Sequence, residues 1–135
     1  MILVDTGPLV AVADADDANH RSCVRFFDTA PRPLLVATPV IVEVCYLLAR
    51  NLGSVAEATF LRAFPRELTL QEVTASDLRR SADLVEQYRD LSLGMVDATL
   101  IAISERLRLR AVATLDRRHF SVVRPRHVAA LDLVP

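Results

Sequence analysis

Ile2-Leu3-Val4-Asp5-Thr6-Gly7-Pro8 is the stretch whose reading decides the fold. Three apolar residues end on a carboxylate, and Gly7-Pro8 follows at once. That order reads as a short buried strand closing at Asp5, a turn, and a helix beginning near Pro8. The same sentence is repeated further along the chain. Leu34 to Ala37 is a second apolar run, followed by Thr38 as N-cap and Pro39 as first helical residue of a helix that reaches about Asn51, where Gly53 stops it. Ala111 to Leu115 is another run, and it ends in Asp116. Between these lie a helix from about Ala18 to Asp28, one capped by Ser54 and reaching about Ala63, one opened by Ala75 or Ser76 and reaching about Arg89, and one from Met95 to Leu107. Glu67 to Val73 alternates weakly and predicts a less buried strand, and Leu131 to Val134 a fifth. Apolar strands alternating with helices predict an α/β fold: three layers, α/β/α, around a central parallel sheet of four to five strands.

The length of 135 residues suits one domain spanning 1–135, and no repeat or linker divides it. Apolar residues make up 52% of the chain, which excludes a disordered protein. The net charge of −1 offers no global basic footprint for nucleic acid. All 16 basic residues are arginine, so any chemistry that requires a lysine is excluded. Cys23 and Cys45 form neither a disulfide framework nor a zinc spacing. The opening residues lack the basic start of an export signal, and Pro33 to Val42 is too short to span a bilayer. A cytoplasmic protein without membrane contact is expected.

Four acidic residues interrupt or end apolar runs: ILV-Asp5, PVIV-Glu43-VCYLLA, GMV-Asp97-ATLIAI and AVATL-Asp116. Glu43 falls fifth in its expected helix, beside Pro39, Val40, Tyr46 and Leu47, too deep for a capping box. A carboxylate on an apolar face costs several kcal/mol unless it is compensated. Each residue alone has an ordinary explanation: a buried Glu–Arg pair for Glu43, a helix-dipole aspartate for Asp97, turn or cap residues for Asp5 and Asp116. Together they argue differently. Asp5 and Asp116 end buried strands and belong at one sheet edge, where functional groups of such folds gather. Gathered carboxylates without lysine call for a divalent cation, and an all-oxygen donor set points to Mg²⁺, with Mn²⁺ as substitute. Such an ion activates water and stabilises a leaving oxygen, so phosphodiester hydrolysis is the expected reaction. His20, His119 and His127 lack a serine or cysteine partner in any recognisable nucleophile context.

The motifs Ile2 to Leu9 (hhDTxxL), Val40 to Val44 (hhxEV), Val96 to Ser104 (hDAxLhAhA-like) and Thr114-Leu-Asp-Arg-Arg-His-Phe120 together resemble the PIN-domain family, in particular the VapC toxins of bacterial toxin–antitoxin pairs. The resemblance covers essentially the whole chain in length and motif order. It implies a PIN-like fold, metal-site roles for Asp5, Glu43, Asp97 and Asp116, and supporting hydroxyls at Thr6 and Thr114. It further implies cleavage of structured RNA such as tRNA or rRNA, a homodimer, and a cognate VapB-like antitoxin. Where relatives often carry a further acidic residue after Asp116, Arg117 and Arg118 stand instead. These two are the candidate RNA contacts, with Arg106, Arg108, Arg110, Arg124 and Arg126 nearby in sequence.

Two other readings compete. A haloacid-dehalogenase-like phosphatase requires a second aspartate where Gly7 stands, and a lysine; a receiver domain requires the same lysine. A catalytically silent PIN-like RNA- or partner-binding module is the non-enzymatic alternative.

Overall fold

A computed structural model describes all 135 residues. In chain order the elements are β1 (Ile2–Val4), α1 (Thr6–Ala13), α2 (His20–Thr29), β2 (Leu34–Ala37), α3 (Thr38–Leu52), α4 (Ser54–Glu67), β3 (Thr69–Gln71), α5 (Ala75–Gln87), α6 (Met95–Leu107), β4 (Ala111–Ala113), α7 (Arg117–Val122) and β5 (Asp132–Val134). A single 3-10 turn, Arg89–Leu91, lies between α5 and α6. The five strands form one parallel sheet in the order β3-β2-β1-β4-β5.

β1 is the middle strand, and its three residues are buried. From it the chain first builds outward through β2 to β3, then returns to the other side of β1 to lay down β4 and β5. Right-handed crossovers then put the helices of the two journeys on opposite faces of the sheet. The packing agrees: α1 meets α2 and α3, α3 meets α4, and α5 meets α6. The strand order reverses between β1 and β4, which opens a crevice beyond the carboxyl ends of these two strands. Asp5 and Asp116 follow those ends.

Several boundaries differ from the expectation. α1 begins at Thr6, not near Pro8, because Asp5 itself is the N-cap, accepting from the Thr6 amide at 2.7 Å. Gly7 is thereby inside the first turn, where an added Cβ would come within 3.2 Å of the Leu115 Cβ. The N-cap of α3 is Ala37, with Thr38 and Pro39 already helical, so Glu43 is the sixth residue of that helix and not the fifth. α4 continues past Ala63 to Glu67 with Pro65 in its last turn. Phe60 and Phe64 explain this: they stack edge-to-face at 5.9 Å and both pack on the core, which requires the helix to continue through Phe64. α5 is capped by Thr74 in a reciprocal capping box with Asp77. No helix is long and apolar enough to cross a membrane.

Candidate metal centre

The residues after β1 and β4 face each other across the crevice. The Asp5 amide donates to the Ala113 carbonyl at 2.8 Å, extending the β1–β4 pairing by one step. The Asp5 carboxylate is buried and doubly held: Oδ1 accepts from the Thr6 amide, and Oδ2 accepts from Thr114 Oγ1 at 2.7 Å. Thr114 Oγ1 in turn accepts from the Asp116 amide at 3.0 Å. Thr6 Oγ1 donates to Glu43 Oε2. Two threonine hydroxyls therefore tie the two strand ends to each other and to α3.

β4 stops at Ala113 although the apolar run continues to Leu115, since the chain must turn for Thr114 to reach Asp5. Asp116 then caps α7, its Oδ1 accepting from the Arg118 and His119 amides at 3.1 and 3.2 Å. Asp97 enters from the first turn of α6. His119 joins these last two: its Nδ1 lies 2.6 Å from Asp97 Oδ2 and 3.1 Å from Asp116 Oδ2. The ligating atoms of Asp97, Asp116 and His119 all fall within 4.8 Å of one another, with Asp5 and Glu43 outside that trio.

The electrostatics are those of clustered like charges. Burial pushes Asp5 up to about 6, beyond what its hydrogen bonds offset, and the charges of Asp97 and Glu43 push the same way. Burial likewise raises Asp97, with His119 opposing and Asp116 and Glu43 adding to the shift. None of the 16 arginines pairs with any of the four carboxylates; the arginine ion pairs go to Glu67, Glu105 and Asp77. The donor chemistry, carboxylate oxygens with one imidazole nitrogen, fits a small divalent cation.

Glu43 is not enclosed by an apolar face as the sequence suggested. Tyr46, one turn away, is exposed, and so is Val42. Both line an open groove of about 850 Å³ with Pro39, Val73, Leu78 and Met95, and Glu43 stands at its wall. The arginines divide. Arg117 donates to the Pro135 carbonyl at 2.8 Å, whereas the exposed Arg118 side chain makes no bond within the chain. Arg106 lies in the last turn of α6, nine residues from Asp97, or roughly 14 Å at 1.5 Å per residue, and is clamped on Asp77. The polar segment after α1 closes on itself, with Asp14 and Asp17 accepting from nearby amides and His20 Nδ1 bonded to the Ala11 carbonyl.

His119 is the site residue that the sequence reading passed over. The sequence offers it no serine or cysteine partner, and the six residues of α7 are too few to show a helical period. The usable signal was its place three residues after a capping aspartate, where a helical turn brings the ring back over Asp116.

Known proteins match this architecture along the whole chain. The PIN domain family matches residues 2–124. Ribonuclease VapC26 of Mycobacterium tuberculosis is 32% identical over 135 residues, covering 99% of this chain and all of its own. Among solved structures, Mycobacterium tuberculosis VapC20 superposes with a TM-score of 0.85 at 23% identity, over 96% of this chain and 99% of that one. The VapBC2 structure of Rickettsia felis, bound to a promoter DNA fragment, gives 0.70 at 14% identity over the full length of both chains. The chain belongs to the PIN domain family, and its resemblance to the VapC proteins extends from the first strand to the last.

Proposed function

We propose that this protein is a divalent-metal-dependent endoribonuclease, the toxin of a type II toxin–antitoxin pair, with Asp5, Glu43, Asp97 and Asp116 as its metal-holding carboxylates. The observation that carries the reading is that these four carboxylates act on one another's charge, Asp97 and Glu43 on Asp5, Asp116 and Glu43 on Asp97, with no arginine paired to any of them in a chain that has 16. An uncompensated cluster of this kind is stable when a cation supplies the missing charge. The similarity to Ribonuclease VapC26 supports the nuclease assignment. VapC20 is a sarcin-ricin loop cleaving toxin, which favours structured RNA, rRNA or tRNA, as the substrate class. The toxin–antitoxin complex of Klebsiella pneumoniae and VapBC2 of Rickettsia felis favour a cognate VapB-like antitoxin as partner. A homodimer and a cytoplasmic location complete the proposal.

Mg²⁺ is the proposed ion, with Mn²⁺ as substitute; when bound, it supplies Lewis acidity and an activated water for attack on phosphorus. The chain's own residues do the rest. Thr114 and Thr6 hold Asp5 and Glu43 so that their oxygens do not have to reorganise when charge develops. Asp116, fixed by the α7 amides, presents its second oxygen toward Asp97. Arg118, exposed and unpaired beside Asp116, is placed to meet an RNA phosphate.

Cleavage tests this directly. Purified protein freed of partner is incubated with total cellular RNA, with Mg²⁺ or Mn²⁺ and with EDTA, next to Asp97→Asn. Discrete fragments that require both metal and Asp97 are expected. Cleavage that ignores EDTA and the substitution would end the metal-nuclease reading, and absence of any metal-dependent cleavage would favour a silent PIN-like binding module.

A further inference from the structure

Each carboxylate of the centre has a different degree of freedom left. Both oxygens of Asp5 accept hydrogen bonds, from the Thr6 amide and the Thr114 hydroxyl. Glu43 Oε2 accepts from Thr6. Asp116 spends Oδ1 on capping α7. Glu43 Oε1 and both oxygens of Asp97 are left, with Asp116 Oδ2, and no hydroxyl, amide or guanidinium reaches any of them. What reaches Asp97 Oδ2 and Asp116 Oδ2 is one atom, His119 Nδ1, at 2.6 and 3.1 Å.

That spacing suits coordination. Ligand atoms about 2.1 Å from a shared octahedral ion lie roughly 3 Å apart along each octahedral edge. The two His119 Nδ1 distances approach that edge without rearrangement of either main chain. The ring is held there by its backbone, since the Asp116 cap fixes the first turn of α7 and the His119 amide is one of the two it binds. The neighbouring Phe120 is buried in the core, which anchors the turn from behind. Nε2 makes no bond within the chain and can carry the ring proton while Nδ1 ligates.

We propose that His119 is a nitrogen ligand of the metal centre, and that the site therefore prefers a first-row transition dication, with Mn²⁺ as the probe, to Mg²⁺. Imidazole is a poor ligand for the hard, oxygen-seeking Mg²⁺ and a better one for first-row transition ions, rising from Mn²⁺ through Fe²⁺ and Ni²⁺. This rests on the metal-site reading above, extends its donor set from oxygen alone to oxygen and nitrogen, and reverses its order of ions, with Mn²⁺ ahead of Mg²⁺.

The experiment reads the metal itself and not cleavage. The full chain is titrated with Mn²⁺ and bound ion is followed by EPR, with electron spin-echo modulation to detect nitrogen at the ion. Protein carrying ¹⁵N-histidine, and the variants His119→Ala, His119→Asp and Asp97→Asn, run alongside, with thermal unfolding of each to establish folding. Expected are a ¹⁴N modulation in the unlabelled protein, its replacement by a ¹⁵N pattern on labelling, and its loss in His119→Ala with Mn²⁺ bound at least about tenfold more weakly. His119→Asp should shift the preference back toward Mg²⁺. His20 Nδ1 and His127 Nε2 are bonded to main-chain carbonyls elsewhere, so the signal belongs to His119. Bound Mn²⁺ without histidine nitrogen, or nitrogen that persists in His119→Ala, overturns this proposal and leaves the carboxylate site standing. Mn²⁺ binding that is absent, or indifferent to Asp97→Asn, overturns the metal site and this inference together. The labelled wild-type spectrum decides the matter even if a variant fails to fold.

Discussion

Asp5 is held in a position that its own ionisation opposes. Its carboxyl titrates near 6 against an ordinary 3.8, because burial outweighs the bonds from Thr114 and Thr6. The folded chain thus retains this proton more tightly than the unfolded chain. The associated stability is complete below the ordinary carboxylate range and is lost as pH rises through about 6, a term of about 3 kcal/mol. Asp97 is raised as well and acts in the same direction. Asp77 and Glu105 are lowered, so their contributions are lost only as pH falls below their ordinary values, outside this window. Metal-free protein should therefore become less stable between about pH 4 and 6, with little further loss above that, and added metal should flatten that slope. Asp5→Asn should remove cleavage, yet make the metal-free protein more stable at pH 7 by about 1–3 kcal/mol. Urea unfolding in EDTA measures both; a variant no more stable than wild type would show that the site does not strain the fold.

The elements were legible to different depths, for local reasons. β1 and β2 announced themselves because both faces are covered and every residue is apolar. The helix after β2 was visible from Thr38-Pro39, although the cap proved to be a residue earlier, at Ala37. The four carboxylates stood out because they broke apolar runs. What was hidden depends on partners distant in sequence. The early end of β4 follows from a hydroxyl reaching Asp5, α7 is too short to show a period, and the sheet order is set by pairings between separate parts of the chain. Arg106 illustrates the same limit. By sequence it was one of several cations near Asp116; in space it binds Asp77 through Nε and an NH2 group, both at 2.9 Å, and fastens the end of α6 to the capped start of α5. Arg106→Ala would leave Asp77 buried without its partner, at a cost of about 2 kcal/mol once the one-third exposure of the arginine is discounted. Thermal unfolding should record that loss while cleavage below the transition is unchanged. A selective fall in RNA affinity with unchanged stability would instead make Arg106 an RNA contact.

Across the whole molecule, the sheet is assembled from the middle outward, but its middle strand is made first and completed last. β1 takes one neighbour from β2 and the other from β4, and the Asp5–Thr114 bond joins positions 109 residues apart. A chain ending at Arg110 would keep β1 to β3 while losing β4, Thr114, Asp116 and His119. Such a fragment should lack a cooperative thermal transition in circular dichroism, because β1 is left with an open, fully apolar edge; cooperative melting would show that the first journey of the chain folds alone. The same geometry sets a clock on the ribosome. The first strand emerges long before its partner and must wait for 109 further residues before its own aspartate acquires the Thr114 hydroxyl. Competence therefore arrives only after Thr114 and Asp116 have been made, and a message truncated before the codon for Thr114 yields a product with no assembled centre at all.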